Sequence, residues 1–145
     1  MVNKVAEHSP EWPHGRVRVR SATRIGTGFG LSGGDVYRVH AEKRAGSLSL
    51  VLKREGAEAV ERALRFHRAV GARLVRSVPA CLGGLVDRAS DMGILLLEDI
   101  APAEQGDVLA GCTDRQALAA VRSLARIHAV SRTVAGEERV DETPR

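Results

Sequence analysis

Three short runs of alternating polar and apolar residues lie between Arg16 and Lys53, and no spacer between them can hold a crossover helix. The runs are residues 16–25, 35–41 and 47–53. Period-two alternation marks a strand with one covered face. Parallel neighbours need a crossover of about a dozen residues or more, normally a helix. The runs are therefore expected to form an antiparallel meander, closed by a glycine-rich stretch at 26–34 and a turn at Lys43-Arg-Ala-Gly46.

Beyond the meander the period changes. Residues 55–70 repeat at helical spacing, with Val60, Leu64, His67 and Gly71 on one stripe and Ala59, Ala63, Phe66 and Val70 beside it. Pro79 to Gly84 reads as a turn, residues 85–87 as strand four and 93–98 as strand five. After a loop over 101–111, Thr113-Asp-Arg-Gln116 has the form of a capping box. The helix behind it is expected to run to about Val130, burying Leu118, Val121, Leu124, Ala125 and His128. From Ser131 the stripe fails, and 131–145 is expected to be a frayed tail. Residues 1–15, polar and with Pro10 and Pro13 around Trp12, are expected to be a loose segment with Trp12 docked on the domain. The fold class expected is α+β, an antiparallel sheet of about five strands with one packed helix.

At 145 residues the chain is one domain in length. With 43% hydrophobic and 28% charged residues it reads as soluble, and with 3% aromatics its core must be aliphatic. No apolar run is long enough to span a membrane, and the N-terminus lacks the apolar run of a signal peptide. Cys81 and Cys112 stand apart without nearby ligand-type residues, so two free thiols and a cytoplasmic location are expected. The net charge of +4 rests mostly on arginine, with Arg16, Arg18, Arg20 and Arg24 alternating along strand one. Such a face can attract phosphate groups or nucleic acid. The scarcity of stacking aromatics argues against single-stranded nucleic acid.

Three features could carry chemistry. Gly28-x-Gly30-x-x-Gly33 exposes backbone N–H groups, which suit anionic oxygens. A dinucleotide-binding turn needs a helix directly after the glycines. A strand follows here, so the choice lies between a hairpin lid over phosphates and an ordinary hairpin loop. Val51 and Lys53, two apart on a strand, share a face. There Val51 could press on a base and Lys53 reach phosphates, with Glu58 or Glu61 on the next helix as the acid that holds the lysine; otherwise Lys53 is a surface residue at a strand end. The apolar strand Ile94-Leu-Leu-Leu97 leaves the sheet through Glu98-Asp99-Ile100, where the backbone of Glu98 and Ile100 could bond the edge of an adenine.

The order of these parts resembles the nucleotide-binding lobe of a protein-kinase-like enzyme. Specifically, the chain resembles the aminoglycoside-phosphotransferase and ecdysteroid-kinase-like group of small-molecule kinases over roughly residues 16–130. The residues that carry this are Ile25-Gly-Thr-Gly28, Val36-Tyr-Arg-Val39, Leu50-Val-Leu-Lys53, Arg65-Phe-His-Arg68, Val78-Pro79, Leu95-Leu-Leu-Glu-Asp-Ile100 and Leu124-Ala-Arg-Ile-His-Ala129. The resemblance implies that 16–100 is the first lobe and 101–130 the hinge loop and first helix of a second. It implies ATP as cofactor, with Gly26, Gly28, Gly30, Val51, Lys53, Glu61, Glu98 and Ile100 around it, and Mg²⁺ in a complete enzyme. Phosphate would pass to a hydroxyl of an unidentified small molecule. Two departures stand out. The family's helix glutamate falls on Ala63, two residues from Glu61. The family's His-Gly-Asp loop, with its downstream asparagine and metal-binding aspartate, is absent; His14-Gly15 is followed by Arg16, and Asn3 is the sole asparagine. The expectation is therefore a nucleotide-binding lobe that is inactive by itself, with no catalytic or metal residues of its own. The alternative is a non-enzymatic module that docks a partner through the surface a second lobe would cover.

Overall fold

A computed structural model describes residues 1–8, 12–25, 34–44, 46–74, 77–103 and 109–141. The chain is α+β. Helix α1 (Val2–His8) precedes strands β1 (Arg18–Arg24), β2 (Asp35–Lys43) and β3 (Gly46–Glu55). Helix α2 (Ala57–Ala69) and a short 3₁₀ turn (Gly71–Arg73) lead to β4 (Cys81–Asp87) and β5 (Met92–Glu98). Helix α3 (Asp114–Asp141) closes the order. The strands form one five-stranded open sheet in the order β1-β2-β3-β5-β4. Every neighbouring pair is antiparallel.

Alternation along β3 divides the sheet into two faces. Leu50 and Leu52 point to the side that α1 occupies, where they meet Val39, Ala41, Leu96 and the helix residues Val2 and Val5. Val51 and Lys53 point to the side that α2 occupies. There Val60 and Leu64 pack on Leu95, with Cys81, Val86 and Leu97 around them. Both helices lie mainly over β4 and β5. On the α2 side β1 and β2 are left without a helix packed above them, and on the other side only the start of α1 reaches that far, through Val2.

Close approach explains part of the α2 packing. A Cβ built on Gly93 would stand 2.6 Å from the Cβ of Val60, so only glycine lets the helix rest on β5 there. The start of α2 is capped from a distance: its N-cap, Gly56, has no side chain to offer. The Ala57 N–H donates instead to Asp91 Oδ1, at 3.2 Å, from the β4–β5 turn.

Several expectations are corrected. Residues 2–8 are a helix rather than a loose segment, and its Val5 is fully buried. So short a helix has almost no propensity signal and takes its stability from packing. Asn3 Oδ1 accepts the Val17 N–H at 3.2 Å. Trp12 is docked as expected, 9% exposed, with Nε1 donating to the Gly15 carbonyl at 2.6 Å. Two helices, not one, therefore pack on the sheet. Strand four begins at Cys81 rather than Leu85. Gly83 and Gly84, read as part of a turn, sit inside the strand at a register shift.

The capping box at Thr113 is present: the Gln116 N–H donates to Thr113 Oγ1 and the Thr113 N–H to Gln116 Oε1, at 3.3 and 2.8 Å. The helix it starts does not stop near Val130 but continues to Asp141. The end of the apolar stripe does not mark the end of the helix. The stripe itself is also exposed: Leu118 is 50%, Val121 62% and Leu124 50% accessible, and Ala125 and His128 are open too. Among the described residues no other element packs substantially on α3.

Candidate functional site

The meander on the α2 side carries Val51 and Lys53, two of the residues singled out from the sequence. Strand alternation places Val36 and Arg38 of β2 and Ser49, Val51 and Lys53 of β3 on this side. Val51 stands between Arg38 and Leu97, and Lys53 between Val36 and Leu95. Lys53 Nζ is 2.8 Å from Glu55 Oε1, two residues along the same strand and face. The lysine side chain is 32% exposed and the glutamate 7%. Glu55 also lies against the end of the glycine-rich stretch, since a Cβ on Gly34 would meet its Cγ at 2.5 Å. The lysine thus stands where that stretch returns to the sheet.

Gly26, Gly28 and Gly30 lie outside the described residues. The ends of their loop are described. Ile25 donates to the Val36 carbonyl at 2.8 Å, so the glycines connect two paired strands, as the sequence reading expects.

Glu61 does not pair with Lys53. Its carboxylate takes both Nε and Nη2 of Arg88, each at 2.9 Å, in the turn after β4. The helix rotation that buries Val60 and Leu64 against β4 and β5 directs Glu61 to that turn. Glu58 pairs with Arg62 one helical turn on. Glu98 is held to Ala80: its N–H donates to the Ala80 carbonyl at 2.8 Å, and its Oε2 accepts the Ala80 N–H at 3.2 Å. Ile100 lies just past the sheet, 57% exposed.

The strongest polar group on this face was not singled out from the sequence. Asp99, with a side chain 3% exposed, accepts Nε and Nη2 of Arg38 at 2.9 and 3.2 Å and the Ser49 hydroxyl at 2.5 Å. Burial alone would raise its pKa. Hydrogen bonds from Ser49 and Arg38, with the Arg38 charge, outweigh burial and hold the carboxyl below its ordinary value. The network ties β2 and β3 to the segment leaving β5. Alternation did contain a signal for it, because Arg38 and Ser49 share the face of Val51. Asp99, however, read as part of a polar turn.

The basic strand is largely neutralised. Arg20 meets Glu42 at 2.5 Å, Arg24 meets Asp35 at 2.7 Å, and Arg16 lies 3.9 Å from Glu7. Among the described residues no group of three His, Cys, Asp or Glu could hold a metal ion. No described helix is long and apolar enough to cross a membrane. What the face offers is Val51, a lysine paired with Glu55 at the strand end, and a fixed arginine–carboxylate pair.

Comparison with protein-family models, with curated proteins and with solved structures returns no match for this chain.

Proposed function

We infer that the chain carries the nucleotide-binding lobe of a kinase-like small-molecule phosphotransferase. The observation that supports this most is the placing of Lys53. It stands on the third strand of the meander, on the open face, two residues after Val51 and beside the end of the glycine-rich connection. In protein kinases a glycine-rich loop covers the phosphates and the lysine stands on the third strand. On this reading Val51 meets the adenine, Lys53 meets phosphate oxygens, and Asp99 fixes the segment at Glu98 to Ile100 that borders the base. The described residues do not fit a Mg²⁺ site, so no step is assigned to a metal. The sequence holds neither the family's catalytic base nor its Mg²⁺ asparagine, so the chain's role is to bind nucleotide, and transfer needs groups from elsewhere.

Calorimetric titration of the chain with ATP tests this reading. Saturable binding is expected, weakened roughly tenfold by Lys53→Met, the loss of one charge-assisted contact. Absence of saturable binding, or equal binding by the variant, overturns it. A second reading, a docking module, is favoured by the exposed Leu118, Val121 and Leu124 of α3. Contiguous exposed apolar surface marks association sites. Partner-dependent protection of α3 from amide exchange would support that reading, and ATP binding with an unprotected α3 would count against it.

A further inference from the structure

We propose that the opposite face of the meander is a separate binding groove for a small aliphatic anion, an acyl carboxylate. This goes beyond the nucleotide reading, because the groove lies across the sheet from Lys53. It has a volume of about 360 Å³ and a floor of Val19, Ala22, Tyr37, Val39 and Leu52. That volume falls at the small end of the range for small-molecule sites. The first turn of the protein forms one wall, with Val2 buried and Met1 71% exposed.

The floor exists because of a β-bulge. Val19 pairs with Ala41, and strict alternation would turn Ala22 to the other face. The register shift between Val19 and Ser21 instead pairs Ala22 with Val39 and Arg24 with Tyr37. Val19, Ala22 and Arg24 thus share one side, while Arg18 and Glu42 pair on the other. The bulge brings the apolar residues of an edge strand to one side, with Arg24 at their end.

The groove ends in charge. Arg54, which lines it, pairs with Asp35, and Asp35 Oδ1 also meets Arg24 at 2.7 Å. Two guanidiniums share one carboxylate, which leaves one unit of positive charge in excess. Both arginines stay partly open to solvent, at 41% and 57%. An apolar floor with a single excess cation at one end complements an aliphatic chain with a monoanionic head. Arginine binds a carboxylate through its planar fork.

Dodecanoate, kept below its micelle concentration, is the probe, with dodecanol as the neutral control. Calorimetry on the whole chain is expected to show saturable binding of the acid, roughly tenfold tighter than the alcohol. The ring resonances of Tyr37, the chain's one tyrosine, are expected to shift with the same saturation. Arg54→Gln should remove the preference for the acid, and Ala22→Trp, filling the groove from the exposed edge strand, should remove binding of both. Equal affinity for acid and alcohol, no saturable binding, or binding that survives Ala22→Trp in a folded chain would each overturn the proposal. Should that variant fail to fold, the Tyr37 shift in the unaltered chain decides: a saturating shift supports the groove, and its absence overturns it.

Discussion

α2 and α3 both carry apolar residues at helical spacing, but only α2 has something to press them against. Val60 is 1% exposed and Leu64 9%, whereas Leu118 and Leu124 are each half open. The difference does not lie in the stripe. It lies in what the chain places opposite: α2 meets a β4–β5 surface cleared by Gly93, and α3 meets no comparable surface among the described residues. Helical periodicity names a face that wants cover. It says nothing about whether this chain supplies the cover.

The same substitution at both helices tests the contrast most severely. Val60→Asp would bury an unpaired carboxylate and is expected to cost at least about 3 kcal/mol, enough to unfold much of the population. Val121→Asp, on α3, is expected to stay within about 0.5 kcal/mol. Urea unfolding of the two variants measures both, and similar losses would break the comparison.

Polar devices at the two ends of the fold should differ in the same way. Arg38→Ala leaves the Asp99 carboxylate buried without its ion-pair partner. A loss of roughly 2–4 kcal/mol is expected, less than for a fully buried pair because the arginine side chain is 36% exposed. Overpacking under α2 comes next: Gly93→Ala is expected to cost about 1–3 kcal/mol, since the backbone of β5 cannot easily withdraw from Val60. Thr113→Ala removes an exposed cap and is expected to cost about 1 kcal/mol, confined to α3 and read as lost helical circular dichroism at unchanged sheet stability. A global loss from the cap variant would show that α3 is coupled to the sheet after all.

Acid should act through Asp99. Its folded-state pKa lies below the unfolded one, so its contribution is fully present above the ordinary carboxylate value of about 3.9 and is lost as pH falls through the lowered value. Unfolding free energy measured down through that range is expected to drop in the wild type and to drop less in Asp99→Asn. Parallel profiles would remove Asp99 from the account.

Much of the meander was legible in advance. Alternation and short connections are local properties, so the three strands, their antiparallel pairing and the face shared by Val51 and Lys53 could be read directly. The capping box was legible for the same reason, its partners being three residues apart. Where a residue's role depends on distant chain, sequence reading failed. Asp99 bonds to Arg38 across 61 positions and to Ser49 across 50. Glu61 was expected beside Lys53 because it lies one turn from Leu64 on the helix after β3, yet α2 packing turns it toward Arg88, 27 residues away.

The amino-acid sequence by itself determined an α+β chain with a glycine-linked antiparallel meander, a following helix and a capped helix beyond it. Periodicity, glycine placement and capping act over a few residues and need no partner. Tertiary structure alone decided the burial of α1, the bulge that gives β1 an apolar side, the acids that Arg38 and Arg88 meet, and the exposure of α3. Each of those depends on which surfaces come together when the sheet closes its order with β5 between β3 and β4. No local pattern in the chain encodes that encounter.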